Sequence, residues 1–241
     1  MSQSQIAVAA LSVVSTFVAV GVASGGPIMY LSASHVATAM SERYSSSQHP
    51  ATAREEWHEP SSVDITARAE TFWDHPTPLF NFGEGRVASQ FGENSVLAHC
   101  EAWGGSHALG GGYANESGGG ASFQTEFFVD APGQDFRFTA ILRYVSVFTD
   151  PHEWAVRLEG PQGTIVSLSY QTSGPYYQEP IDVIRPAVRG TYTMHLSVSG
   201  ESCYPIDSHF RPIFDASFVI PAPGVVVFAG ALAALALQRR R

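Results

Sequence analysis

"DFRFTAILRYVSVF", Asp135 to Phe148, decides the fold class. Phe136, Phe138, Ala140, Leu142 and Tyr144 alternate with Arg137, Thr139 and Arg143, so apolar side chains return at every second residue. That is the repeat of a strand with one dry and one wet face, whereas a helix would return near every 3.6 residues. The same alternation recurs on both sides. "SVDITARAET" sets Val63, Ile65, Ala67 and Ala69 against Asp64, Thr66, Arg68 and Glu70, and "SVLAHCEAW" puts Val96, Ala98, Cys100 and Ala102 on one side. "ASFQTEFFV" aligns Ala121, Phe123, Phe127 and Val129. "EWAVRLEG" and "TIVSLSYQ" are joined by Pro161-Gln162-Gly163, a turn-forming link suited to a hairpin. "GTYTMHLSVSG" points Tyr192, Met194, Leu196 and Val198 inward, and "IFDASFVI" does so with Phe214, Ala216, Phe218 and Ile220. These strands predict an all-β fold over 63–220: an antiparallel β-sandwich of jelly-roll-like form, because each sheet needs a second to cover its apolar face.

Two stretches carry no such period. "SERYSSSQHPATAREEWHEPSS", Ser41 to Ser62, is polar and punctuated by Ser and Pro, and 25–62 is therefore expected to be a linker or poorly ordered arm. "GGSHALGGGYANESGGGAS", Gly104 to Ser122, lacks the glycine orders of a phosphate-binding loop and is expected to be a long flexible connector.

At 241 residues the chain accommodates one sizeable domain plus terminal signals. Its formal charge is −9, and all 13 of its basic residues are arginine. Setting aside Arg239, Arg240 and Arg241 leaves ten arginines against 22 carboxylates, or −12, a surface that repels nucleic acid and anionic lipid. The two cysteines, Cys100 and Cys203, show no CxxC spacing. In an oxidising compartment they would form one disulfide, worth about 4 to 5 kcal/mol in the chain-entropy account; the alternative is two buried thiols.

Both termini are apolar and are expected to be helical. Ile6 to Ser24 over segment 1–24 reads as a signal peptide, with Gly21 and Ala23 as the small pair before a cleavage site, although no lysine or arginine precedes Arg43. At the other end, Val225 to Leu237 would span only roughly 20 Å as a helix, short of a hydrocarbon core about 30 Å thick. Pro221, Ala222, Pro223 and Gly224 form a rigid corner before it, and Arg239, Arg240 and Arg241 would hold the C-terminus on the cytoplasmic side.

In that order, the corner, apolar run and arginines of 221–241 resemble the PEP-CTERM sorting signal, with Ala222 where the usual triplet has Glu. The resemblance implies an exosortase as processing partner, transient membrane insertion, and delivery to the cell surface or extracellular matrix, with matrix polysaccharide as a further partner. A short buried C-terminal helix and a permanent anchor are the other readings of the same residues.

The body yields no catalytic motif: GxSxG is missing, and 22 acids do not single out a glycosidase pair. Histidines and acids gather at His58 and Glu59, at Asp74 and His75, and at Asp150, His152 and Glu153. His75, His152 and Glu153 have zinc-ligand chemistry, but their spacing does not bring them together. Asp130, Asp135, Asp150 and Glu153 flank strand ends where calcium could sit, without the loop motif that would hold it. Trp57, Trp73, Trp103 and Trp154 offer rings that could stack on sugars. The chain is thus expected to be an exported, non-catalytic β-sandwich associated with polysaccharide. Its rival is a secreted hydrolase or lyase on the same scaffold, recognisable by a concave face holding two or three acids or histidines with perturbed pKa.

Overall fold

The computed structural model describes residues 13–15, 27–43, 51–73, 79–107, 115–143, 151–173, 180–202 and 208–221. Strands follow one another in chain order: β1 (Val13–Ser15), β2 (Ile28–Arg43), β3 (Ala51–Trp57), β4 (Val63–Trp73), β5 (Leu79–Gly92), β6 (Ser95–His107), β7 (Asn115–Val129), β8 (Asp135–Arg143), β9 (Pro151–Gly160), β10 (Gly163–Ser173), β11 (Ile181–Pro186), β12 (Gly190–Ser202), β13 (Ser208–Phe210) and β14 (Ile213–Val219). They form two antiparallel sheets. One has six strands in the order β10-β9-β12-β7-β2-β3. The other has eight, in the order β1-β4-β5-β6-β14-β8-β11 with β13 also on β6. The expected all-β, sandwich-like architecture is what the chain adopts.

Alternation in the sequence becomes alternation in burial. On β8, Phe136, Phe138, Ala140 and Leu142 are buried, and on β12 Tyr192, Met194, Leu196 and Val198 are buried. Phe218 packs between the sheets with its ring centroid 4.9 Å from both Phe127 and Phe136. Burying each such ring contributes roughly 1.5 to 3 kcal/mol. The Tyr192 hydroxyl donates to the Val188 carbonyl at 3.1 Å and accepts from the Val188 amide at 3.0 Å, so its polar end is satisfied.

The opposite end of the sandwich is thin. Packed sheets usually lie about 10 Å apart, with side chains filling the gap. Here a Cβ on Gly83 would fall 2.1 Å from the Gly118 carbonyl oxygen, one on Gly85 2.1 Å from that of Gly120, and one on Gly119 2.1 Å from that of Glu84. The backbones of β5 and β7 therefore touch directly. Around this pinch the inward side chains are Ala37, Ala39, Ala67, Ala69 and Ala102.

Two expectations need correction. Segment 25–62 is not a linker, since β2 is a long interior strand flanked by β3 and β7. Its inward residues are Ala33, His35, Ala37, Ala39 and Ser41, all buried; small and polar, they give no apolar period to read. The glycine-rich stretch is likewise not simply a connector: Gly104 lies in β6 and Asn115–Ser122 form the first half of β7, where Gly119 is required because the facing Glu84 carbonyl leaves no room for a side chain. Of the N-terminal apolar run, Val13–Ser15 pairs with β4 as a strand; the remainder of 1–24, and the tail beyond Pro221, lie outside the described residues.

Candidate functional site

The outer face of the six-stranded sheet is built from residues that alternate with the core positions. On β7 these are Gly118, Gly120 and Ser122; on β12, Ser197 and Ser199; on β9, Ala155; and on β2, Val36 and Thr38. The register sets them side by side: Gly120 opposite Thr38 and Ser199, and Ser122 opposite Val36 and Ser197. With glycine, serine and alanine on neighbouring strands, the face has a floor close to the backbone. The same glycine triplet forms the pinch, so the sheet is sunk where its partner sheet comes nearest.

The result is a groove of about 530 Å³ whose lining includes Thr38, Gly120, Ser122, Glu153, Tyr170 and Ser199. A smaller depression of about 200 Å³ continues it past Met40 and Gly118 to Glu201, sharing Thr38, Gly120 and Ser199. From β10 to β2 the groove crosses five strands, or about 19 Å at the usual strand spacing. Serine and threonine hydroxyls supply donors and acceptors along it. At its β10 end the outward residues are Ser169 and Gln171, opposite Ala155 and Glu153, whereas Tyr170 is opposite the buried Trp154 and turns its ring, 6.2 Å from that of Trp154, to the inner side of the sheet.

The other outer face has a different chemistry. Arg86 makes a two-pronged pair with Asp64, at 2.8 and 2.5 Å. Arg68 reaches Glu84 at 3.3 Å and also pairs with Glu70. His99 lies between two acids, its Nδ1 2.7 Å from Asp215 and its Nε2 3.3 Å from Glu101. Arg143 holds the other Asp215 oxygen, and Arg211 holds Glu101 at 2.5 Å while covering the Trp103 ring. Burial alone would lower the His99 pKa, but the hydrogen bonds to Asp215 and Glu101 outweigh it and raise the pKa. Burial likewise opposes ionisation of Glu101, yet His99 and Arg211 bring its pKa down to about 2. Both nitrogens of His99 donate and both oxygens of each acid accept, so this is a closed ion-pair network with no oxygen left over for acid–base work on a substrate.

The residues singled out by sequence are scattered. Glu153 is exposed and lines the groove, whereas neighbouring His152 is buried at 2% exposure. His58 is exposed beside Glu56 at 3.1 Å, and Asp130 pairs with Arg189 at 3.2 Å. Asp74, His75 and Asp150 lie outside the described residues. Among the described residues no three His, Cys, Asp or Glu side chains gather as metal ligands. Trp154 is buried, Trp103 sits under Arg211 on the opposite face, and Trp57 is 37% exposed and donates to Ser61 at 2.9 Å, so none of these three presents its ring to the groove. Cys100 is a buried free thiol, and Cys203 lies outside the described residues. Of the tail only Pro221 is described; Ala222, Pro223, Gly224 and the three arginines are not. No helix among the described residues is long and apolar enough to cross a membrane.

The fold defines the chain as a two-sheet antiparallel sandwich. No family model matches it, and no curated protein matches it. Partial likenesses exist among solved structures. TmCBM61 in complex with β-1,4-galactotriose is 16% identical, with 48% of this chain and 75% of that one covered and a TM-score of 0.25. The enzymatically active domain of bacteriophage CBA120 tailspike protein 4 is 12% identical over 53% of this chain and 19% of that one, at a TM-score of 0.24. The CBM22-1–GH10 modules of Clostridium thermocellum xylanase 10B with xylohexaose are 11% identical over 58% of this chain and 27% of that one, at 0.22.

Proposed function

We propose that this chain is an exported, non-catalytic β-sandwich that lays an extended polysaccharide along the groove on its six-stranded sheet. The groove itself carries the reading. It is long, shallow, rich in hydroxyls and floored by glycine and serine. A sugar chain offers what such a surface can use: hydroxyls that pair with its serines and threonines. The ion pairs that close off the other face favour binding over catalysis, since the perturbed carboxylates are committed to arginine and histidine.

The PEP-CTERM-like tail supplies the delivery part of the proposal. An exosortase would cut near Pro221–Gly224 while the arginines hold the segment in place, releasing the sandwich at the cell surface or into the matrix. Titration calorimetry of the purified chain against a panel of polysaccharides tests the groove. Binding to at least one polymer that falls at least 100-fold in Ser199→Trp, with an unchanged melting temperature, supports it; unchanged binding in that variant refutes it. Intact-mass measurement of the protein from its native host tests the tail: a mature chain still carrying Arg241 refutes sorting by cleavage.

A further inference from the structure

Resting on that reading, we infer that the groove takes uncharged polysaccharides and turns polyanionic ones away. The two sheet faces treat their carboxylates differently. On the eight-stranded sheet Asp64, Glu84, Glu101 and Asp215 each face an arginine or histidine. Along the groove Glu153 stands toward the β10 end and Glu201 at the other end of the continuous depression. Both are exposed, and neither forms an ion pair among the described residues. The lining contains no arginine, and the chain contains no lysine. The arginines that border the groove are Arg54 on β3, opposite Thr38, and Arg157, the outward residue after Ala155 on β9, and each is held by a glutamate, Glu56 and Glu159.

A chain of uronic acids or sulfated sugars laid across this floor would bring fixed negative charge against both glutamates, with no arginine in the lining and the two that border it already paired, on a protein whose formal charge is already −9. A neutral chain meets no such opposition, and its hydroxyls can donate to the same carboxylates. The discrimination is electrostatic, so it depends on salt. It is strongest where the Debye length is about 30 Å, near 0.01 M, and weakest where it is about 3 Å, near 1 M.

The test is affinity electrophoresis or calorimetry of the full chain with hydroxyethylcellulose and galactan as neutral probes and alginate and polygalacturonate as polyanions. The expected result at low salt is binding to a neutral polymer at least about tenfold tighter than to either polyanion. The gap should narrow at high salt and close to within about threefold in the Glu153→Gln/Glu201→Gln double variant. Alginate or polygalacturonate binding as tightly as the neutral polymers, or a gap the double variant leaves unchanged, overturns the charge inference and leaves groove binding standing. Absence of binding to all four polymers overturns the groove reading itself.

Discussion

The two outer faces of this sandwich solve the same problem in opposite ways. Each must be wet, and one does it with long charged side chains paired across strands, Arg86 with Asp64 and Arg68 with Glu84. The other does it with Gly120, Ser122, Ser197 and Ser199, residues too short to cover their own backbone. A paired, ladder-like face occupies its own hydrogen-bonding capacity. A face of glycine and serine leaves that capacity open to a ligand, and the difference between them locates the candidate site without any catalytic motif.

The comparison is easiest to break from behind. Gly85 faces the underside of the groove floor, and Gly85→Val would drive a side chain into the Gly120 and Thr38 carbonyls. Overpacking of this kind costs about 3 kcal/mol or more, which lowers the melting temperature of a domain this size by roughly 10 °C. Val87, two residues along on the same face, packs in the ordinary core, and Val87→Ile there should cost less than half as much by the same thermal scan.

Two histidines sharpen the contrast through pH. His35 is buried between the sheets, where its Nδ1 donates to the Trp57 carbonyl at 3.3 Å and its Nε2 accepts from Ser89 at 2.7 Å. Burial pulls its pKa from 6.5 down to about 4, the Trp57 hydrogen bond opposes this, and the charge of nearby His58 adds to it. With the folded pKa below the unfolded one, the neutral ring is favoured, so stability is complete above pH 6.5 and falls as pH drops toward 4. The loss approaches about 3 kcal/mol, and His35→Gln should flatten it in urea titrations between those limits. His99 runs the other way. Its folded pKa is raised, so its contribution is complete below 6.5 and disappears as pH climbs through the folded value.

How much of this was legible in the sequence follows from side-chain size. β8, β12 and β14 could be read because Phe136, Phe138, Leu196, Phe214 and Phe218 announce the inward face. β2 and the start of β7 could not: their inward positions are Ala37, Ala39, Ser41, Ser117 and Gly119, and small residues in a thin part of the core look the same as a polar linker. The groove needed the register. Small residues at alternate positions in "SGGGAS" and "LSVSG" are its signal, but only the pairing of β7 with β12 and β2 aligns them.

On the ladder face, Glu101→Gln leaves Arg211 and His99 without their shared acid, a loss of about 2 kcal/mol in stability with no change in polysaccharide affinity. Arg137→Ala removes the exposed pair with Asp182 and should shift stability by no more than about 0.5 kcal/mol, within the scatter of a denaturant melt.

The most direct measurement is hydroxyl-radical footprinting of the chain with and without a bound neutral polysaccharide, read by mass spectrometry. Met40 faces the groove, while Phe82 and Trp103 lie on the opposite outer face with their rings 5.0 Å apart. The groove account predicts that polysaccharide protects Met40 and leaves Phe82 and Trp103 oxidised at the rate of the free protein. Protection of Trp103 and Phe82 with Met40 unchanged would contradict it and move the binding face to the charged sheet.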